Sequence, residues 1–372
     1  MKEITVYKEE GRYCSFPHVL KLEKKLIAVF RRASNFSVKA AIDGVHTHHD
    51  PDSEICSIES HDDGNTWDQE SFKVIYKSNY GVNDPSITLL KNGDLLLRFV
   101  ALKITETSKL EYFPKKIFSH RSEHGLVAEV VNNLLMISHD EGNSWVEHSE
   151  INCEEIGPSC SRDPIIELED ESLLASVYTG APQRADISWC LRSFDKGITW
   201  GEPTIIGIDP QGKYSERHGK NFNETSLLYL GNGEVLAMIR CDETFHTTDE
   251  FMPVGGMGKL FISRSLNSGM NWSEPKDTSI FGQPGHILKI GNNKILCTYG
   301  YRKSPFGVRA LISENNGSSW DISKEFVISE GYKSWDCGYP FSLMINKNEF
   351  LSIYYVNDEN GNRFIRSSKW KI

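Results

Sequence analysis

The chain repeats one short phrase five times, and this repetition constrains the fold more than any other feature of the sequence. The phrase is Ser-x-Asp/Asn-x-Gly-x-x-Trp, with copies at 60–67, 138–145, 193–200, 265–272 and 313–320. The Asp or Asn side chain of such a phrase accepts hydrogen bonds from turn amides, Gly provides a positive φ, and Trp covers the turn with apolar area. Repeats at wide intervals indicate an array of like structural units.

A second repeat lies between these phrases and consists of an apolar strand, a tight turn and another apolar strand. Its six copies begin at Pro17, Pro85, Pro164, Thr225, Gly285 and Pro340, with the turn residue eight positions later. The two repeats together give six units of four short strands, which is the composition of propeller blades. We therefore expect an all-β fold, a six-bladed β-propeller with four-stranded antiparallel blades, in which residues 1–372 form a single domain.

The sixth unit lacks the turn phrase. Its third strand is expected at 363–369, directly before the chain ends at Ile372. The fourth strand of this unit must then come from the N-terminal segment, near residues 4–7. We expect the ring to be closed by the N- and C-terminal strands.

Charge and composition exclude several classes of function. The net charge of −10 disfavours nucleic acid as a partner, because phosphate binding requires a basic face. No apolar run approaches membrane-span length, and residues 1–7 lack the apolar core of a signal peptide, so we expect a cytoplasmic protein, or a secreted one if a signal peptide has been removed. The eight cysteines include no metal-type CxxC pair, which favours buried free thiols.

In a propeller, the start of the first strand and the end of the second strand of every blade lie on one face, around the central cavity. The residues directly before the six aligned strand starts are Phe16, Asp84, Asp163, Glu224, Pro284 and Tyr339. Fifteen positions beyond the aligned starts lie Arg32, Val100, Thr179, Arg240, Gly300 and Tyr355. Carboxylates, arginines and tyrosines are thus expected at one cavity mouth.

These rim residues have both structural and catalytic interpretations. Asp84 and Asp163 could cap neighbouring backbone amides, and Glu224 could form a structural ion pair with Arg240. In a catalytic site Glu224 would instead take the phenol proton of Tyr339, so that the phenol oxygen attacks an anomeric carbon.

The turn phrases, the six units and the rim resemble the sialidase (neuraminidase) superfamily, whose propellers carry Asp-box (BNR) repeats. The resemblance covers nearly the whole chain. It implies that Asn223-Glu224-Thr225-Ser226 supplies the glutamate partner of the nucleophile, and that Tyr339 is this nucleophile. It also implies that Arg240 and Arg309 belong to an arginine triad that binds the substrate carboxylate.

The resemblance further implies an acid/base aspartate in the loop 43–52. Asp50 is preferred there, with Asp52 and Asp43 as alternatives. The family's first triad arginine lies in an Arg-Ile-Pro phrase, where this chain has Ser15-Phe16-Pro17. Arg31 or Arg32, from the next strand, would have to compensate. The loop histidines do not indicate a metal site, because one crowded loop rarely provides a full coordination sphere, and no cofactor is implied.

Further candidates for substrate contacts lie in segments that enter or leave the same face. They are His218, Arg302 and Trp335, the last of which could stack on a sugar face. The stretch from about 101 to 133 is longer than a blade connection requires. Such insertions usually build a pocket wall or an oligomer contact.

Three functions are compatible with these residues. The first is an exo-acting glycoside hydrolase of the sialidase type, which removes a terminal acidic sugar from a glycan or oligosaccharide with net retention through a tyrosyl intermediate. The second is a hydrolase for a neutral sugar, resembling exo-arabinanases, with its carboxylates drawn from Asp84, Asp163 and Glu224. The third is a non-catalytic carbohydrate- or protein-binding propeller.

Overall fold

A computed structural model describes residues 1–34, 48, 50–106, 109, 126–181, 184–209, 218–245 and 258–372. Of these, residues 126–127, 180–181, 184–185, 218–219 and 243–245 are described by their backbone only. The named elements are β-strands and a 3-10 helix at Ile322–Lys324. No helix in these ranges is long and apolar enough to cross a membrane.

Four antiparallel sheets contain four strands each, in chain order. The first has β6 (Gly81–Leu89), β7 (Leu95–Glu106), β8 (Leu126–Ser138) and β9 (Val146–Ile151). The second has β10 (Ile166–Glu167), β11 (Leu173–Ala181), β12 (Arg184–Ser193) and β13 (Gly201–Gly207). The third has β14 (His218–Gly231), β15 (Glu234–Phe245), β16 (Gly258–Ser265) and β17 (Lys276–Phe281). The fourth has β18 (Gly285–Gly291), β19 (Lys294–Tyr301), β20 (Phe306–Ser313) and β21 (Phe326–Tyr332).

The remaining strands form one eight-stranded sheet with two antiparallel halves. Its strands are β1 (Lys2–Tyr7), β2 (Tyr13–Lys21), β3 (Leu26–Ala33), β4 (Glu54–Ser60), β5 (Asp68–Tyr76), β22 (Gly338–Asn346), β23 (Glu349–Asn357) and β24 (Arg363–Lys371). One half contains β2 to β5 and the other contains β22, β23, β24 and β1. A parallel bridge between Tyr13 and Arg363 joins them. The pairing of β1 with β24, with Ile4 opposite Ser367, confirms the predicted closure by the two ends of the chain.

The first strands of successive units contact one another around a centre. Strand β2 contacts β6 and β22, β14 contacts β18, and β18 contacts β22. The apolar core lies between neighbouring sheets; for example, Leu174 and Cys190 of one sheet pack with Phe222 and Ala237 of the next. The predicted all-β propeller architecture is confirmed. All eight cysteines are buried thiols that form no disulfide, as predicted.

The turn phrases have the hydrogen bonds that their residue types predict. In the second copy, the amide of Gly142 donates to Ser138 Oγ (2.8 Å) and the amide of Ser144 donates to Asp140 Oδ1 (2.8 Å). Gly142 has a φ of +84°, a conformation that glycine adopts without strain. The hydrogen bonds to Asp140 lower the pKa of its carboxyl to about 2, with the Ser144 hydroxyl as the largest cause. The phrase therefore folds as a self-contained turn.

Candidate active site

Three of the rim residues share an unusual backbone conformation. Phe16, Asp84 and Tyr339 have φ values of +54°, +51° and +50°, and each precedes a proline. At all three places the pairing of the strand with its neighbour shifts register, as it does in a β-bulge. Non-glycine residues with positive φ are uncommon and concentrate at functional sites. The same local distortion thus recurs where three units open onto the centre.

Gly338 allows the backbone to approach closely beside Tyr339. Its φ is +97°, and a Cβ atom at this position would lie 2.8 Å from the Cα atom of Gly300. Gly300 is itself confined, because its own Cβ would lie 2.7 Å from the carbonyl oxygen of Gln283. This contact brings the start of β22 next to the end of β19. Residues from both segments therefore reach the same space.

Tyr339, Glu224 and Arg240 form a buried cluster at the centre. The Tyr339 hydroxyl donates to Glu224 Oε1 at 2.6 Å, and Arg240 Nη1 donates to Glu224 Oε2 at 2.7 Å. Arg240 Nη1 also donates to the Tyr339 oxygen at 3.1 Å. All three side chains are less than one-tenth exposed. A carboxylate on a phenol proton, with a guanidinium on the phenol oxygen, is an arrangement that can generate a phenolate.

The electrostatics of this cluster hold the proton on the phenol in the resting protein. Burial, followed by the neighbouring charge of Glu224, raises the pKa of Tyr339 well above its ordinary value. Burial disfavours the charged form of Arg240, but Asp242 and Glu224 together raise its pKa. Arg240 therefore stays charged, and it can stabilise negative charge that develops on the phenol oxygen during a reaction.

Two further arginines flank the Tyr339 ring. The guanidinium of Arg302 lies 5.5 Å from the centre of the Tyr339 ring and 5.3 Å from that of Trp335. Its Nη2 is buried and has no hydrogen-bond partner among the described residues. Arg162 lies 5.3 Å from the Tyr339 ring on a different segment and donates to the carbonyl oxygen of Pro340 (2.9 Å). Sequence reasoning included Arg302 and Trp335 but missed Arg162, although it directly precedes the predicted Asp163.

Arg31 and Arg32 have separate environments. Arg31 is fully buried, donates to the carbonyl oxygens of Val82 (2.9 Å) and His48 (2.8 Å), and has no described partner for its Nη1. Arg32 instead donates to Glu54 (2.6 Å) and Glu9 (2.7 Å). Neighbouring residues of a strand face opposite sides. The structure therefore places Arg31, and not Arg32, toward Phe16, whose ring centre lies 6.0 Å away.

Arg309 does not join the cluster around Tyr339. Its Nη2 donates to Glu330 at 2.7 Å and its Nη1 donates to the carbonyl oxygen of Ser329 at 3.0 Å. Its guanidinium lies 4.6 Å from the ring centre of Tyr301. Arg309 lies on β20, the third strand of its sheet, and its partners lie on the outer strand β21. Arg302, at the end of β19, occupies the position near Tyr339 instead.

Asp84 and Asp163 line a small cavity with Phe16, His18, Arg162 and other residues, which has room for about one water molecule. Asp84 Oδ1 is buried without a described partner, whereas Asp163 is paired with Arg162 at 3.1 Å. Burial, with Glu224 next, raises the pKa of Asp84 well above its ordinary range. Burial also raises the pKa of Asp163, although Arg162 opposes this shift.

The predicted acid/base loop is described only in part. Asp43 lies outside the described residues. The Asp50 carboxylate is buried and accepts hydrogen bonds from the amide and hydroxyl of Ser34 (2.9 and 2.7 Å) and from the amide of Asp52 (2.9 Å). These hydrogen bonds give Asp50 a structural task. Asp52 is exposed. The His218 side chain also lies outside the description.

A second network adjoins the cluster and has no counterpart in the sequence predictions. Asn223 Nδ2 donates to Asp242 Oδ2 (3.1 Å) and to Asp186 Oδ2 (3.2 Å). Arg240 Nε donates to Asp242 Oδ2 at 3.0 Å. Asp242 was accessible to sequence reasoning, because it lies two residues after Arg240 on the same strand. Asp186 lies on another sheet, and no motif marks it.

In the described ranges of the chain, no group of three or more His, Cys, Asp or Glu residues could hold a metal ion. His46 and His49 of the loop 43–52 lie outside these ranges. His48 contacts Phe16 ring to edge at 4.8 Å, and burial lowers the pKa of its imidazole.

Comparison with solved structures places the fold among known propellers. A protein of unknown function from Dyadobacter fermentans has a TM-score of 0.79 and 26% identity, over 100% of this chain and 98% of its own. The NanB sialidase from Streptococcus pneumoniae has a TM-score of 0.66 and 13% identity, over 99% of this chain and 70% of its own. An alpha-L-arabinanase from Penicillium chrysogenum, complexed with arabinobiose, has a TM-score of 0.65 and 14% identity, over 100% of this chain and 98% of its own.

No family model and no curated protein matches the sequence. The predicted resemblance to sialidases is confirmed at the level of the fold, and arabinanase shares this likeness.

Proposed function

We propose that the protein is a retaining, exo-acting glycoside hydrolase with Tyr339 as the nucleophile. The observation that carries this proposal is the buried Tyr339–Glu224 hydrogen bond of 2.6 Å, with Arg240 bonded to both groups. Glu224 accepts the phenol proton as the phenol oxygen bonds to the anomeric carbon.

The ring that carries this site is proposed to have six blades. The four separate sheets supply four of them, and the two halves of the eight-stranded sheet supply the other two. A single bridge between Tyr13 and Arg363 connects these halves, so each has the four strands of one blade. This count agrees with the six hairpins in the sequence.

The arginines around Tyr339 favour an acidic terminal sugar. Arg302 Nη2 and Arg31 Nη1 are buried without described partners, and each can donate to a carboxylate in a charge-assisted hydrogen bond. A phenol nucleophile suits such a substrate, because a carboxylate nucleophile would be repelled by the acidic group. Sialosides, other keto-acid sugars and uronate-capped glycans have this chemistry.

A neutral terminal sugar is the second candidate. Ser15 and Phe16 stand where the sialidase pattern has arginine and isoleucine, and the Phe16 ring packs 4.8 Å from the Tyr339 ring. The similarity to the arabinanase extends over nearly the full length of both chains. In this case Glu224 and one of Asp84 and Asp163 would be the catalytic pair.

Release of free sugar from a defined panel tests the proposal. The panel contains sialyllactoses, uronate-capped oligosaccharides and arabino-oligosaccharides, and mass spectrometry identifies each released monosaccharide. We expect release of an acidic sugar. Release of arabinose alone would move the function to the second candidate. Binding without release from any substrate would contradict hydrolysis and would favour a carbohydrate-binding propeller.

Arg302→Met is expected to lower kcat/KM for an acidic substrate by roughly 10- to 100-fold, because one charge-assisted hydrogen bond is lost. Most of the loss should appear in KM. Steady-state kinetics on the best acidic substrate of the panel measures it. Arg309→Met is the matched control, since Arg309 is bound by Glu330 and Ser329, and it should leave KM within a few-fold of the wild type. The reverse pattern would contradict the assignment of Arg302.

A further inference from the structure

We infer that Asp186 is the acid/base carboxyl of the reaction proposed above, and this inference therefore rests on that function. Asp186 lies on β12, in the sheet next to the one that carries Glu224 and Arg240. Its side chain is half-buried, whereas Asp84, Asp163 and Glu224 are less than one-tenth exposed. A group that protonates a departing aglycone has to remain accessible, and Asp186 is more exposed than these three carboxyls.

Asp186 is connected to the nucleophile by continuous polar contacts. Asn223 Nδ2 bridges the carboxylates of Asp186 (3.2 Å) and Asp242 (3.1 Å). Asp242 accepts from Arg240, and Arg240 donates to Glu224 (2.7 Å), the partner of Tyr339. The backbone amide of Asp186 also donates to Asn221 Oδ1 (3.1 Å), which holds its strand against β14.

The two carboxyls that share Asn223 have different environments. Asp242 is bound by the guanidinium of Arg240, whereas Asp186 has no described ion pair. Burial raises the pKa of Asp186 to about 7, and the charge of Asp242 adds to this effect against the hydrogen bond from Asn223. A carboxyl whose pKa is raised in this way is suited to act as a general acid.

The charged groups that face Asp186 come from three directions. Asp242 and Arg240 lie on β15, Glu224 lies on β14, and the Cys160 thiol lies before β10. Glu224 acts with Asp242 to favour the proton on Asp186, and Arg240 opposes them. Burial keeps the pKa of the Cys160 thiol well above its ordinary value, so this thiol remains neutral. The charges that face Asp186 thus sum to a net negative charge.

The other buried carboxyls near the centre are less accessible than Asp186. Asp50 accepts three hydrogen bonds from Ser34 and Asp52. Asp336 is fully buried and accepts from two tyrosines and Arg363. Asp163 is fully buried beside Arg162. Asp50, Asp163 and Asp336 are each less than one-tenth exposed, whereas Asp186 is half-buried.

The reaction balances with Asp186 in this role. In the first step Asp186 gives its proton to the glycosidic oxygen, whose bond to the anomeric carbon breaks, while the Tyr339 oxygen bonds to that carbon and Glu224 takes the phenol proton. In the second step the Asp186 carboxylate takes a proton from water as the water oxygen bonds to the anomeric carbon. The bond to Tyr339 breaks, and Glu224 returns the proton to the phenol oxygen.

Asp186→Asn separates this role from a structural one through the leaving group. The probes are the oligosaccharide and the 4-nitrophenyl glycoside of the sugar released by the wild type. On the oligosaccharide, kcat/KM should fall about 10²- to 10⁴-fold, because its alcohol needs a proton to depart. On the nitrophenyl glycoside, which leaves without a proton, formation of the tyrosyl intermediate should change little. In the Asp186→Asn variant, azide should accelerate breakdown of the tyrosyl intermediate and yield a glycosyl azide.

The pH profile gives an independent readout. The wild-type rate on the oligosaccharide should fall as the pH rises through about 7, since only protonated Asp186 is active as the acid. Asp186→Asn should remove this alkaline limb of the pH profile, and Asp186→Glu should retain it. Asp170→Asn, on the exposed turn of the same sheet, is the control and should leave the rate and the limb unchanged.

Distinct results overturn the inference and the function beneath it. Equal losses on both probes, or an unchanged limb in Asp186→Asn, would overturn the role of Asp186 alone. The leaving-group signature in Asp50→Asn or Asp52→Asn would do the same and would assign the acid to the loop 43–52. Absence of hydrolysis by the wild type on every substrate would overturn the proposed function together with the inference.

Discussion

Tyr339→Phe is expected to lower kcat by roughly 10³-fold or more on any substrate that the wild type hydrolyses, because the variant has no oxygen to bond to the anomeric carbon. The substitution removes one hydroxyl and leaves the ring, which packs against Phe16 and Tyr355 at 4.8 and 5.8 Å. Glu224 and Arg240 can still pair at 2.7 Å after the change. The fold should therefore persist, and thermal unfolding should remain cooperative.

Tyr355→Phe is the matched control for this variant. Tyr355 is a buried tyrosine of the same sheet, and its hydroxyl donates to Asp336 at 2.7 Å. Its replacement should cost about 1 kcal/mol of stability and leave kcat within a few-fold of the wild type. Mass spectrometry of quenched wild-type reactions should also find a sugar attached to the peptide that contains Tyr339. Wild-type rates in Tyr339→Phe would refute the tyrosyl mechanism and favour a carboxylate nucleophile.

Asp336→Ala is expected to lower the free energy of unfolding by about 3–5 kcal/mol, because it leaves a buried charge without its partner. Asp336 is fully buried and accepts from Arg363 Nε (2.7 Å), Tyr13 (2.6 Å) and Tyr355 (2.7 Å). Burial disfavours a charged Arg363, and Asp336 offsets this penalty and raises the pKa of Arg363 above its ordinary value. Denaturant unfolding followed by tryptophan fluorescence measures the loss.

A surface ion pair in the same region provides the comparison. Lys8 Nζ lies 2.9 Å from Asp358 and both side chains are partly exposed. Exposed pairs of this kind contribute about 0.2–1 kcal/mol, so Lys8→Met should change the unfolding midpoint only slightly. A loss in Asp336→Ala no larger than that in Lys8→Met would show that the Asp336 network is not a main source of stability. Asp336 lies three residues before Tyr339, so its variant should also lose activity through misplacement of β22.

The fold could be predicted because its information is local and repeated. Each turn phrase makes its own hydrogen bonds within eight residues, so its residue types are sufficient to identify it. The placement of Glu224 and Arg240 followed from two offsets, one position before and fifteen positions after the start of each hairpin, because antiparallel pairing fixes which residues lie opposite each other. Tyr339 followed from the first of these offsets in a different unit. Because the units repeat, a position identified in one unit could be located in the others.

The remaining parts of the site depend on side-chain direction and on contacts between sheets. Arg31 and Arg32 differ by one position, and the side-chain alternation of a strand decided between them. Sequence reasoning assigned Arg309 a place in the carboxylate-binding triad and Arg302 only a place among the further substrate contacts. The distance of each arginine from Tyr339 depends on how far its strand lies from the centre, which the sequence does not show. Asp186 meets Asn223 across two sheets, and no spacing along the chain encodes that contact.

The pairing of β1 with β24 joins a short N-terminal strand to a sheet that is otherwise formed by distant parts of the chain. Strand β1 contributes backbone hydrogen bonds and buries Val6 and Tyr7, while Tyr339 lies in the same sheet on β22. Six residues far from Tyr339 in sequence thus cover the edge of the half-sheet that carries it. A peptide with the sequence of β1, supplied separately, is expected to pair with β24 of the remaining chain and to complete the fold, as the short fragment of a split reporter does.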